Sequence, residues 1–386
     1  MDLTELITLS RHYGADPDYV VAGGGNTSLK DPSILLIKGS GTALSDISAD
    51  GFVRMDRSKL ALIWEKTYPQ NEDDREAAVL ADMMAAKMPG EGQKRPSVET
   101  LLHDMLPFAL VVHTHPALVN GLTCSAGGAE EARNLFGEKA LWIPEVNPGY
   151  TLSRVVKEAM DAHTRRSGVP AAIILLQNHG VFVGADTPEG IRNLYRYLMD
   201  TLGAKIARKP DFSGKTLQYG PSAEAAAVLA DLAGSAGANH GPGKVIFERN
   251  REIAALVEDA AAFYPISSAF TPDHIVYSGS DPLFIDTGGK GDMTRFIREA
   301  WKNHLEKTGR PPKIAALRGL GVFGIGPSEK AARLALELFA DTIKVAVYTQ
   351  AFGGPRFMAA DKIDFINNWE VERYRSGISG ATDKEE

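Results

Sequence analysis

Leu110-Val111-Val112-His113-Thr114-His115-Pro116 and, further along, Ile173-Ile174-Leu175-Leu176-Gln177-Asn178-His179-Gly180 are the stretches that decide how this chain folds. Each begins as a short apolar run of the kind that forms a strand buried on both faces, and each ends in imidazole. Side chains alternate across a strand, so residues two apart share a face and His113 and His115 can converge on one point. Two histidines at this spacing suit equally well a core in which each ring finds a hydrogen-bond partner. His179 strengthens the metal reading: it follows the second strand and precedes Gly180, a residue suited to a tight turn. Three imidazoles with an open fourth position form a recurrent catalytic zinc arrangement. His12, His103, His163, His240, His274 and His304 have no comparable placement. His103, the nearest rival, is expected on a helix behind the site in a supporting role.

Working outward, Pro96-Ser97-Val98-Glu99 opens a helix that runs to His103. Pro and Ser suit a helix start, and a carboxylate is favoured in the first turn. The same carboxylate beside three histidines is either a fourth ligand or an acid/base group, so Glu99 has two readings. Upstream lie two glycine-rich, hydroxyl-bearing turns, Gly23-Gly24-Gly25-Asn26-Thr27-Ser28 and Lys38-Gly39-Ser40-Gly41. Glycine lets backbone N–H groups approach an anion, and Lys30 and Lys38 offer positive charge; turning the chain is the plainer role for both segments. Neither is a P-loop, and no Gly-x-Gly-x-x-Gly follows a strand, so no NAD site is expected.

Periodicity predicts helices over 3–13, 58–65, 73–87, 152–163, 187–207 and 223–232, with Pro188 near the start of the fifth. A strand is expected over 34–37. With 386 residues the chain exceeds one ordinary domain. Composition changes at Lys209-Pro210-Asp211-Phe212-Ser213-Gly214 and again over 234–243, giving an expected division into 1–208, a helix-bearing linker 209–243, and a second α/β domain 244–386 with a tail. That second part echoes the first. Leu36-Ile37-Lys38-Gly39-Ser40-Gly41 resembles Val276-Tyr277-Ser278-Gly279-Ser280, and Asn178-His179-Gly180-Val181-Phe182-Val183-Gly184 resembles Gly319-Leu320-Gly321-Val322-Phe323-Gly324-Ile325. Leu320 then stands where His179 stands, which makes the second part a shortened copy without the metal site. Common strand-turn-helix grammar is the alternative.

Hydrophobic residues at 44% and charged residues at 24% are the balance of a globular protein with ample core, and a net charge of -7 weighs against nucleic acid and anionic membrane as partners. Cys124 is the single cysteine, so no intrachain disulfide forms. No run approaches the ~18 apolar residues of a membrane span, and the N-terminus lacks the pattern of a signal peptide, so a cytoplasmic protein acting on a small molecule is expected.

Taken in order, Gly25-Asn26-Thr27-Ser28, Gly39-Ser40-Gly41, Pro96-Ser97-Val98-Glu99, His113-Thr114-His115-Pro116 and Leu176-Gln177-Asn178-His179-Gly180 resemble the motifs of the class II aldolase/adducin family across residues 1–205. Phe270-Thr271-Pro272-Asp273-His274 and Arg318-Gly319-Leu320-Gly321-Val322 extend the likeness to the aldolase portion of bifunctional rhamnulose-1-phosphate aldolase/lactaldehyde dehydrogenases, with the dehydrogenase portion not expected here. The resemblance implies an α/β fold, an αβα sandwich around a mainly antiparallel sheet, assembled as a homo-oligomer, tetramer or dimer. It implies His113, His115 and His179 as ligands of Zn2+, Glu99 as acid/base, and Asn26, Ser40, Gly41 and Ser97 near a substrate phosphate, with Thr27 an addition. The implied reaction is retro-aldol cleavage of a rhamnulose- or fuculose-like ketose 1-phosphate to dihydroxyacetone phosphate and an aldehyde. A sugar-phosphate 4-epimerase uses the same scaffold, and an adducin-like interaction module is the non-catalytic alternative. Two departures stand out. Val98 occupies a position where fuculose phosphate aldolases carry a second serine, so either Lys38 compensates or the substrate carries no phosphate. The tyrosine that protonates the aldehyde oxygen in some members has no secure match, Tyr150 being more suited to packing.

Overall fold

The computed structural model describes residues 3–236, 243–288 and 292–369. The chain divides into two units, Met1–Ile206 with Ala351–Gly354, and Ala207–Gln350 with Pro355–Glu386.

Seven strands form the sheet of the first unit: β1 (Asn26–Lys30), β2 (Ile34–Lys38), β3 (Phe52–Asp56), β4 (Leu110–Thr114), β5 (Ala140–Ile143), β6 (Ile173–Leu176) and β7 (Gly180–Ala185). Their order is β3-β2-β1-β4-β7-β6-β5, and every pairing is antiparallel except β5 with β6. The apolar runs that lead to histidine are β4, at its centre, and β6, one strand in from the edge, both buried along their whole length. Alternation divides their side chains between two cores. Val112, Val181 and Val183 pack with Leu6 and Leu9 of the helix Leu3–Gly14 and Ile191 and Leu198 of the helix Pro188–Gly203. Val111, Ile174 and Phe182 pack on the other side with Leu102 of Thr100–Met105 and Val156 of Tyr150–Ser167. Helices therefore cover both faces, as an αβα sandwich requires. Thr187 caps the helix at Pro188 by accepting from the Gly190 N–H, which explains why that helix begins where the proline stands. One piece comes from far along the chain. Phe352 is buried in the first core, and the N–H groups of Gly127 and Ala126 donate to the carbonyls of Phe352 and Gly354 at 2.9 and 3.0 Å.

The second unit holds β8 (Lys244–Glu248), β9 (Leu283–Ile285), β10 (Ile314–Leu317) and β11 (Gly321–Gly326) in the order β8-β11-β10-β9. This repeats β4-β7-β6-β5 in order, strand direction and register. Leu176 pairs with Gly180 as Leu317 pairs with Gly321; Thr114 faces Val181 as Glu248 faces Val322; Ile143 lies beside Leu176 as Ile285 lies beside Leu317. Even the loop bonds recur: the Gln177 N–H donates to the Ile143 carbonyl and the Arg318 N–H to that of Ile285, both at 2.9 Å. The helix Ser222–Ala236, expected within a linker, buries Ala225 and Leu229 in this second core.

The other echo fails. Val276-Tyr277-Ser278 lies in a π-helical turn, His274–Ser278, and not in a strand, and no counterpart of β1, β2 or β3 stands in the second sheet among the described residues. A short buried apolar run fits strand and helix equally well, and here all five residues of the turn are buried. His240 and the tail beyond 369 lie outside the described residues.

Candidate metal centre

β4 carries His113 as its last residue but one, and the chain leaves the sheet at His115, whose N–H donates to the Tyr19 carbonyl at 3.1 Å. The rings still converge: the Nε2 atoms of His113 and His115 lie 2.9 Å apart. His179 arrives from the loop between β6 and β7. Asn178 sits there at φ 55°, a left-handed conformation that asparagine tolerates better than most side chains, with its N–H on the Thr123 carbonyl. Gly180 matters for a different reason than turning. A Cβ at this position would stand 2.6 Å from His115 Cδ2 and from the Thr114 carbonyl oxygen, so only glycine lets the loop close on the strand end. The three histidines place one ring nitrogen each within 4.8 Å of one another.

His113 is held from two sides. It is fully buried, its ring stacks on Phe182 at 4.1 Å, and its Nδ1 donates to the Val181 carbonyl at 3.0 Å. That bond leaves Nε2 as the lone-pair nitrogen, the orientation a metal-binding histidine needs.

Glu99 immediately precedes the helix Thr100–Met105 but caps nothing with its side chain. Its Oε2 accepts from Asn26 Nδ2 at 2.6 Å. Its Oε1 is buried without a hydrogen-bond partner, 3.3 Å from His113 Nε2 and 3.5 Å from His179 Nε2. A buried carboxylate oxygen without a donor is costly. Clustered with imidazole nitrogens, it makes a donor set that fits a divalent cation.

The cross-strand pairing of Asn26 with His113 brings the Asn26-Thr27-Ser28 segment to the site. Asn26 Nδ2 also donates to Ser97 Oγ at 3.1 Å, and its Oδ1 meets His103 Nε2. Ser97 in turn lies against the second glycine turn: its N–H donates to the Lys38 carbonyl at 3.2 Å, and the Ser40 N–H donates to the Arg95 carbonyl at 2.8 Å. Asn26, Lys38, Ser40, Gly41, Ser97 and Glu99 thus belong to one neighbourhood.

Three candidate residues make other contacts. Thr27 points to the opposite face, where its hydroxyl lies 2.6 Å from Ser10 Oγ, because alternation along β1 separates it from Asn26. Lys30 is buried, with its ammonium nitrogen on the His103 carbonyl, and burial pulls its pKa down to about 7. It offers little charge to a substrate. The Asn26 carboxamide is committed to Glu99, Ser97 and His103, so its first role is inside the protein. Tyr150, as expected, packs: it lies between Trp64 and Tyr68, with its N–H on Glu76. Sequence reasoning missed the partners of His103; period-two spacing of Asn26, Ser28 and Lys30 on a strand was the available signal.

A mainly antiparallel α/β sandwich with three converging histidines, His113 buried and His115 and His179 partly buried, defines a class of protein whose cluster could hold a metal. Residues 4–204 match the Class II Aldolase and Adducin N-terminal domain, and since this is over half of the 386 residues, the chain belongs to that family. Members of the aldolase branch are metal-dependent enzymes, and the cluster is compatible with that requirement. The chain is also 25% identical to the Uncharacterized oxidoreductase YuxG of Bacillus subtilis (strain 168), over 96% of this chain and 58% of that protein. Among solved structures, an N-terminal class II aldolase domain from Thermoplasma acidophilum is 26% identical, with a TM-score of 0.45 and coverage of 53% of this chain and 93% of that one. An L-fuculose-1-phosphate aldolase from Thermus thermophilus is 17% identical, with a TM-score of 0.33 and coverage of 52% and 92%. Among the described residues, no helix is long and apolar enough to cross a membrane.

Proposed function

We propose that the protein is a metal-dependent aldolase that reversibly cleaves a ketose 1-phosphate to dihydroxyacetone phosphate and an aldehyde. The observation that carries this reading is the partnerless Oε1 of Glu99, buried against the ring nitrogens of His113 and His179. His113, His115 and His179 would hold the cation, zinc or another divalent transition metal that imidazole suits, which would supply Lewis-acid polarisation of the substrate's carbonyl and neighbouring hydroxyl oxygens. Glu99 is the proton-moving group. In the synthetic direction its carboxylate takes the proton from the carbon that attacks the aldehyde, and in cleavage it returns it. Asn26 holds the other carboxylate oxygen and so sets which one is available.

The phosphate end falls to Ser40, Gly41 and Ser97, with Lys38 supplying charge where Val98 has no hydroxyl. The backbone bonds that hold the two segments side by side support this assignment. Division of labour along the chain follows: 1–208 catalytic, 209–243 a linker whose helix packs into the second core, 244–386 a degenerate copy of the same architecture, in a homo-oligomer of two or four chains. The matching order and register of β4-β7-β6-β5 and β8-β11-β10-β9 support the copy.

Glu99→Gln tests the reading. The variant keeps its metal and loses exchange of the dihydroxyacetone phosphate proton with solvent by about 10²-fold or more, the contribution of a positioned acid/base. Full exchange would remove Glu99 from its role. Recovery of an epimer in place of a released aldehyde would redirect the reaction to the 4-epimerase type.

A further inference from the structure

One face of β1 is given over to a single histidine. Asn26 Oδ1 meets His103 Nε2, Ser28 Oγ lies 2.7 Å from His103 Nδ1, and Lys30 Nζ donates to the His103 carbonyl. His103 is fully buried on the helix Thr100–Met105, edge-on to Phe182, where an apolar side chain would fill the place without polar groups to satisfy.

The direction of every bond follows from the far end of the chain. Carboxylate oxygens of Glu99 only accept, so Asn26 must turn its NH2 toward Oε2. Its Oδ1 then faces His103 and accepts, which puts the ring proton on Nε2. Nδ1 is left with a lone pair and accepts from the Ser28 hydroxyl. Each member has one orientation that satisfies both neighbours.

We infer that His103 is a positioning residue for Glu99, acting through Asn26. The Nε2–H of His103 prevents the Asn26 carboxamide from making a half-turn, keeps its NH2 on Glu99 Oε2, and so leaves Oε1 as the oxygen directed at His113 and His179. Without that lock the flipped carboxamide would set its carbonyl oxygen where the nitrogen now stands, 2.6 Å from a carboxylate oxygen, and the two would push apart. Ser28, whose hydroxyl donates or accepts, follows the tautomer of His103 and satisfies its Nδ1. The inference deepens the acid/base role proposed for Glu99 and rests on it.

Zinc-loaded His103→Gln and His103→Leu enzymes separate positioning from packing. Glutamine presents an amide N–H near the place of Nε2–H; leucine keeps bulk and loses the donor. The leucine variant is expected to lose turnover by about 30-fold, part of the 10²–10⁴ that a placed acid/base provides, at a KM within about twofold and with unchanged zinc content. The glutamine variant recovers to within about fivefold of wild type. Ser28→Ala, the mildest change, costs about threefold. A leucine variant as active as wild type, or two His103 variants that lose turnover alike, overturns the inference. A second readout needs no activity and no variant that must fold: the long-range proton–nitrogen NMR spectrum of the wild-type His103 ring. A proton on Nε2 is expected. A proton on Nδ1 overturns the inference, whatever the reaction is. The Nε2–H form in a protein that exchanges no substrate proton overturns the acid/base reading, and the catalytic part of this inference with it, while the tautomer tells that case apart from a failed hydrogen-bond chain.

Discussion

The sheets of the two units place different side chains on one frame. Register sets Phe247 where His113 stands, Arg249 where His115 stands, and Leu320 where His179 stands. The parallels are close. His113 stacks on Phe182 at 4.1 Å, and Phe247 packs on the equivalent Phe323 at 5.0 Å. Asn178 takes its left-handed conformation at φ 55°, and its counterpart Gly319 at φ 69°. The loop must be held to the strand end in both units, and the means differ. In the first, imidazoles and an orphaned carboxylate oxygen gather a donor set that fits an ion. In the second, Arg249 brings its own positive charge and donates to the carbonyls of Gly319 and Leu320 at 2.8 and 2.6 Å, with its guanidinium over the Tyr219 ring. A guanidinium is always charged and fork-shaped, so it can bridge the gap without an ion but leaves no open coordination position. The backbone frame is common to both units, whereas the donor set that could hold an ion comes from three side chains and the Glu99 segment of the first.

The largest expected effect breaks the pair apart. His179→Ala should cost about 10³-fold in turnover, the several kcal/mol a Lewis acid contributes, and lower the zinc content measured by elemental analysis, whereas Leu320→Ala should leave turnover within about twofold. Equal losses would mean the second unit is not degenerate at all. The reverse construction is sharper. Phe247→His, Arg249→His and Leu320→His together should add a second equivalent of bound metal per chain, read by titration with cobalt; no added equivalent would show that register alone does not carry over the site. Arg249→Ala should lower the stability of the second unit by about 2 kcal/mol in urea unfolding, because two carbonyls lose a charged donor, and Arg249→Lys should recover less than half of that.

The smallest effect concerns the support beneath the site. Burial lowers Lys30 from 10.5 to about 7. Between those values the unfolded chain holds a proton that the folded one lacks, so this group makes stability rise with pH from about 7 toward 10.5 and makes its least favourable contribution below 7. Lys30→Met should flatten that rise, read as melting temperature from about pH 7 to about pH 9.5. An unchanged slope would mean Lys30 keeps its proton in the fold.

Much of the first unit was legible because its signals are local. Two apolar runs ending in histidine, alternation along β4, a proline at the start of a helix and the ordered motifs each depend on neighbours in sequence. The His179 echo was legible for the same reason, since a strand, a three-residue loop and a strand carry their own pattern. The failed echo at Val276-Tyr277-Ser278 shows the limit: a short apolar run does not say whether it is strand or helix until its neighbours are known.

What the sequence determined by itself was a short set: the three imidazoles that come together and the strands over 34–37, 110–112 and 173–176, with β1, β3 and β5 left unread. What only the tertiary structure decided was who faces whom. Alternation turned Thr27 away and Asn26 inward, cross-strand pairing set Asn26 opposite His113, and Phe352 returned from the far end of the chain to complete the first core. The physical reason is that secondary structure depends on the order of neighbours, whereas hydrogen-bond partners such as His103 and Glu99 depend on contacts between residues more than 70 positions from Asn26, which no local pattern encodes.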